Sequence, residues 1–262
     1  MDFYDEMCQA IARDGTRRGV RTNPEEFQKF LSNIDIAPAR PAPAAAAPAA
    51  AQVERAQLND FGCNVEYTPQ SPAPAAVAMP GDWESLRNMA LSCQNCPLAA
   101  TRQNVVFGEG DLHARLMFIG EGPGADEDAT GRPFVGAAGQ LLDKMIAAMH
   151  LAREDVYIAN IVKCRPPENR MPAADEAAAC IGYLKKQIEL IQPEVIVLLG
   201  GTALSFLLDI NGITRYRGRW QSYNNIPVMP TFHPAFLLRK AEAKREAWHD
   251  LKLVMAKLNI AV

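Results

Sequence analysis

The sequence predicts an α/β fold of three layers, α/β/α, around a central, mostly parallel sheet of four strands. Three observations predict it. Apolar runs of four to seven residues alternate with stretches of helical spacing from about residue 82 to the C-terminus. Each run is continuous, as in strands buried on both faces, where an exposed sheet would alternate polar and apolar positions. The chain of 262 residues is long enough for one sizeable domain with an appendage.

The elements follow in order. In TNPEEFQKFLSNI, Asn23 is placed to cap a helix and Pro24 to open it, so residues 1–35 form a short helical tag. The tag either docks a partner protein or is a fraying helix. Residues 36–80 carry the tracts APARPAPAAAAPAAAQV and TPQSPAPAAVAMP, whose prolines block helix and leave nothing to pack, so they form a linker. The domain proper spans 81–262. DWESLRNMALSC has helical spacing, RLMFIGEG is a buried strand ending in glycines, and GQLLDKMIAAMH is an amphipathic helix. DVYIANI is the second strand and DEAAACIGYLKKQIELI a long helix. EVIVLLG is the third strand, running into the helix TALSFLLDI. IPVMPTF is the fourth, followed by HPAFLLR and the closing helix EAWHDLKLVMAKL.

Composition excludes several classes. No run of 18 apolar residues exists, so no membrane helix is expected, and the acidic start MDFYDEMCQAIARDG is no secretory signal. A cytoplasmic, monomeric protein is the expectation. The net charge of −3 comes entirely from residues 1–80, with 10 acids and 7 bases; residues 81–262 hold 20 of each. A neutral domain can still hold nucleic acid on one basic face.

Ligands of such sheets bind beyond the carboxyl ends of the strands. Here that places GEGPG after the first strand, Asn160 at the end of the second, GGT after the third and His233 after the fourth. The glycine turn is followed by ADEDATGRPFVG, rich in acids and lacking the lysine of a phosphate loop. It is shaped for something flat, polar and uncharged. Of the six cysteines, Cys93 and Cys96 form a C-x-x-C turn, Cys164 follows the second strand and Cys180 lies in the long helix. In a cytosolic chain this set reads as a zinc or iron–sulfur site, and spacing alone does not separate the two. Cys8 and Cys63 read as free thiols.

The four strand-end places, in that order, resemble the uracil-DNA glycosylase superfamily. GEGPGADEDATGRPFVGAAGQLL, NIVKCRPPEN and FHPAFLLR, with the four cysteines, look like its family 4, the iron–sulfur uracil-DNA glycosylases, over about residues 84–258. The resemblance implies a [4Fe–4S] cluster on Cys93, Cys96, Cys164 and Cys180, stapling the chain around a DNA-facing loop. It implies uracil-containing DNA as substrate and base-excision repair as the process. A base taken out of the stack needs a flat face and an edge reader. Phe134 would supply the face, although a lone Phe is commonly core. The amide of Asn160 can pair with O4 and N3–H of uracil together, and cytosine presents the opposite pattern. The resemblance gives Glu127 the task of excluding the thymine methyl group, and gives the backbone of Gly120, Glu121 and Gly122 that of holding O2. Asp126 and Asp128 read as solvated or capping residues. His233 matches the family's donor to O2, where negative charge develops as the base leaves. His113, His150 and His249 have no such context and read as surface residues. Gly122 stands where other branches carry an Asp, and the resemblance gives Asn169 the task of positioning the attacking water, with Glu121 as the other candidate.

Leu237 or Leu238 would fill the hole left by the base, although either could be core. Lys163, Arg165, Arg170, Arg239 and Lys240 would hold phosphates. Arg215, Arg217 and Arg219 would share one face of an extended segment. Two rivals remain: a relative that traps uracil-DNA covalently, and a non-catalytic iron–sulfur DNA-binding protein. The first carries an Arg-rich insert with a nucleophilic His near the second motif, and NIVKCRPPENRMPAADEAAAC has neither.

Overall fold

The structure, a computed structural model, describes residues 79–261. The tag at 1–35, nearly all of the linker at 36–80, and Cys8 and Cys63 lie outside the described residues. Six strands form one sheet: β1 (Glu109–Gly110), β2 (Leu116–Gly120), β3 (Tyr157–Asn160), β4 (Val195–Leu199), β5 (Gln221–Tyr223) and β6 (Ile226–Thr231). Their order is β1-β3-β2-β4-β6-β5. The four central strands are parallel, as the apolar runs predict. The sheet has six strands where four were expected, because β1 and β5 pair antiparallel at its two edges. At two and three residues they are too short to leave a pattern in the sequence.

Eight α-helices accompany the strands among the described residues: α1 (Trp83–Leu91), α2 (Ala125–Thr130), α3 (Ala137–Ala148), α4 (Ala174–Ile191), α5 (Gly201–Leu208), α6 (Ile213–Tyr216), α7 (Pro234–Arg239) and α8 (Lys244–Lys257). Asp82 caps α1 by accepting the Ser85 N–H at 2.9 Å. The central strands divide their side chains between two cores. Met117, Ile119, Ile196 and Leu198 face a cluster with Leu86 of α1, Leu184 of α4 and Leu204 of α5. Leu116, Phe118, Val195 and Val197 face one with Leu142 of α3 and Leu251 of α8. Alternate residues thus enter opposite layers, which is why every position of β2 and β4 is buried. Burying each such side chain contributes roughly 1.5–3 kcal/mol.

Parallel register brings the strand ends to one edge. Gly120 pairs with Asn160, and Leu199 with Thr231. The loops after β2, β3, β4 and β6 therefore open on the same side of the sheet.

Candidate active site

The loops after β2, β3 and β6 line an open cleft of about 580 Å³ whose walls include Glu121, Glu127, Phe134, Asn160, Asn169 and His233. Asn160 ends β3 with its side chain buried, 1% exposed, and its Oδ1 has no hydrogen-bond partner in the protein. Its backbone carbonyl is held from behind by Lys163 Nζ at 3.0 Å. An orphaned acceptor this deep costs about 1–3 kcal/mol unless a ligand donor meets it. Gly120 lies beneath it. A Cβ there would stand 2.5 Å from Asn160 Oδ1 and 2.5 Å from Phe134 Cζ, so only glycine lets the amide and the ring converge.

Phe134 belongs to the core cluster and also lines the cleft. Its φ of 52° lies in the left-handed region, which a bulky residue enters only when its surroundings hold it there. Its ring centroid is 5.7 Å from that of His233, the planes tilted by 32°.

His233 caps α7, accepting the Ala235 N–H on Nδ1 at 3.1 Å. Burial pushes its pKa down to about 4; Arg239 acts in the same direction, and Glu127 opposes them. At neutral pH the imidazole is uncharged. With Nδ1 accepting, its hydrogen resides on Nε2. Gly200 makes room behind it: φ is +94°, and a Cβ would lie 3.1 Å from His233 Cβ.

The acidic stretch after GEGPG is the short helix α2, and two of its acids, Glu127 and Asp128, accept from backbone amides. Glu127 accepts from Gly124 N at 3.0 Å, Val135 N at 2.8 Å and Gly136 N at 2.9 Å, which knits the glycine turn to the Phe134 loop. Asp128, expected solvated or capping, is 1% exposed and accepts from the N–H groups of Gln103 and Asn104. Glu121 is fixed by a hydroxyl that sequence reasoning missed: Thr202 Oγ1 donates to its Oε2 at 2.5 Å. The GGT motif at the start of α5 was its signal.

The exposed Asn169 has φ 55° and accepts from Arg165 Nε at 2.8 Å. Arg170 and Arg239 line the cleft beside it, and Arg170 pairs with Glu176 at 2.7 Å. Leu238, Arg239 and Lys240 are exposed at the end of α7. Gly122 also borders the cleft.

Several expectations fail. Lys163 cannot reach a phosphate. It is 2% exposed, and its Nζ is taken by Asn160 O and by Gln187 Oε1 at 2.7 Å. Burial lowers its pKa to about 8. Leu237 is core, 1% exposed, so only Leu238 is free to act as a wedge. Arg215, Arg217 and Arg219 do not share one extended face. Arg215 lies in α6, and Arg217 turns inward to pair with the buried Asp250 at 2.5 Å. His113 and His249 are exposed, but His150 is half-buried.

On the opposite side of Lys163, Cys93, Cys96, Cys164 and Cys180 line one small cavity. Arg102 Nη1 donates to Cys164 Sγ and the Lys163 N–H donates to Cys180 Sγ, each at 3.3 Å. Burial raises the Cys164 thiol and pushes Cys180 up to about 12. Among the described residues, no three His, Cys, Asp or Glu side chains close around a single ion. Four thiols around one cavity, two of them met by N–H donors, suit a thiolate-held group, either zinc or iron–sulfur.

The sequence matches the family model of the uracil DNA glycosylase superfamily over residues 107–252. It is 52% identical over 167 residues to a type-4 uracil-DNA glycosylase of Thermotoga maritima, covering 61% of this chain and 86% of that protein. It is 43% identical to one of Archaeoglobus fulgidus, covering 63% and 87%. It is 44% identical to one of Saccharolobus solfataricus, covering 64% and 82%.

Proposed function

The chain belongs to the uracil DNA glycosylase superfamily, in its type-4 branch, and from that premise we propose that it flips uracil out of DNA and hydrolyses its N-glycosidic bond. The product is an abasic site that enters base-excision repair. The observation that carries the reading is the buried, unpartnered Oδ1 of Asn160, set over Gly120 beside the Phe134 ring. An amide oxygen so placed asks for a donor, which N3–H of uracil supplies and the unprotonated N3 of cytosine does not. A flipped base entering the cleft stacks on Phe134 and meets the backbone N–H groups of the turn at Gly120–Gly122.

Discrimination against thymine falls to Glu127. Its carboxylate is pinned by three N–H groups and cannot yield to a methyl group. As the bond to the sugar breaks, negative charge gathers on the base, and the Nε2–H of neutral His233 donates to O2. Asn169 places the attacking water, its side chain oriented by Arg165. The bond breaks largely before water attacks, so position matters more than basicity. Glu121, held by Thr202, is the alternative for that task. Arg170, Arg239 and Lys240 hold phosphates around the extruded nucleotide, and Leu238 fills its place.

We assign a [4Fe–4S] cluster to Cys93, Cys96, Cys164 and Cys180. Bound there, it supplies a cross-link between distant segments, with no part in breaking the glycosidic bond. No helix among the described residues is long and apolar enough to cross a membrane. We further place the protein in the cytoplasm as a monomer, which its elution volume checks. The N-terminal tag remains a candidate for holding a partner protein.

The test uses the full chain and an oligonucleotide with one uracil. Alkali-labile abasic sites are expected, with free uracil released and no denaturant-resistant adduct. An adduct would favour a covalent trap, and binding without release a non-catalytic protein. Either result would overturn the reading. Brown protein absorbing near 400 nm is expected from the cluster, whereas a colourless zinc protein would refute it.

A further inference from the structure

We infer that Arg153, which does not line the cleft, is the positioning residue that holds Phe134 in its stacking geometry. This rests on the reading that Phe134 receives the base. Arg153 begins the turn before β3, and its side chain is mostly buried, 18% exposed. Its guanidinium serves both carbonyls of the Phe134 loop. Nη1 donates to Phe134 O at 3.2 Å, and Nη2 donates to Pro133 O. Two carboxylates from other elements orient the same group: Asp143 of α3 at 2.7 Å and Glu109 of β1 at 3.3 Å. Glu109 in turn binds Arg132, on the Phe134 loop itself, through both oxygens at 2.7 Å.

This arrangement answers a question that the site leaves open. Phe134 has a left-handed backbone without being glycine, a conformation that needs outside support. Glu127 supports the loop from its far side through the N–H groups of Val135 and Gly136. Arg153 supports it from the near side through carbonyls. Only a planar fork can meet two successive carbonyls and two carboxylates together, so lysine is no substitute. A ring displaced by about 1 Å can cost on the order of a hundredfold in rate.

The test is a double-mutant cycle on the full chain. Arg153→Lys, Phe134→Ala and the double variant are compared by single-turnover release from a uracil oligonucleotide. Arg153→Lys is expected to lose ten- to a hundredfold in the single-turnover rate constant. In the Phe134→Ala background the same change is expected to cost less than about twofold, because its effect passes through the ring. Asp143→Asn, a milder variant that keeps the arginine, is expected to show a smaller loss of the same sign. Additive losses, or wild-type kinetics for Arg153→Lys, would overturn the proposal. Amide hydrogen exchange gives a second readout independent of activity. Val135 and Gly136 are expected to exchange faster in Arg153→Lys, with β2 and β3 unchanged; equal rates throughout would overturn it. Absence of base release by the wild-type protein would sink the glycosylase reading instead, and the exchange measurement would still decide the role of Arg153 in holding the loop.

Discussion

His233 is kept neutral by burial, while its Nδ1 is occupied by the Ala235 N–H. A neutral donor gains strength as the base becomes anionic, and it costs less to bury than an imidazolium. Its pKa near 4 has a visible sign. Base release should stay level from pH 8 down to about 5 and fall as the ring gains its proton near pH 4. A break near pH 6.5 would show an imidazole exposed to water. The linkage to stability runs the same way. The folded pKa lies below the unfolded value of 6.5, so the unfolded chain binds the extra proton first. Stability from this group is whole above pH 6.5 and is lost as pH falls toward 4. His233→Gln should flatten that part of the urea-midpoint profile. Asn160→Ala removes the edge reader and should lower kcat/KM by ten- to a hundredfold, equivalent to about 1–3 kcal/mol, with the 400 nm absorbance retained. Gly120→Ala should be worse, since its methyl group would occupy the space between the amide and the ring.

Strand β3 carries its reading residue at its very end, and Lys163 steadies that end from the core side. Lys163→Met should cost about 1–3 kcal/mol in a urea titration, because the Asn160 carbonyl and Gln187 each lose a buried donor. The lysine was misread from sequence for a physical reason. Charge predicts exposure on average, and nothing local shows that Gln187, 24 residues away, waits to receive it. The central strands were legible because burial on both faces leaves unbroken apolar runs. The edge strands were not, since two or three residues carry no period. Helix α2 was not read from its acidic stretch; Glu127 and Asp128 answer backbone amides that only the folded chain brings near. Leu237 and Leu238 could not be told apart because neighbours on a helix differ by about 100° in direction, and packing alone chooses which one is buried. The strand ends after β2, β3 and β6 could be read as one cleft, since a parallel register brings them to the same edge of the sheet.

Across the whole molecule, residues 81–262 hold equal numbers of acids and bases, so affinity for DNA must come from local placement. Arg239→Ala should therefore reduce the slope of log K against log salt by about one, while Lys163→Met should leave it unchanged. Equal slopes for Arg239→Ala and wild type would remove that arginine from the interface. Sheet order has a further consequence, in time. β2 lies between β3 and β4, and β4 must wait for β6, the last strand to be made. At roughly 5–20 residues per second, a ribosome exposes the greasy flank of β4 for seconds before its neighbour exists. His233 emerges later still. A chain that ended at Leu199 would thus keep the β6-facing edge of β4 unpaired and lack His233, open to association and unable to act.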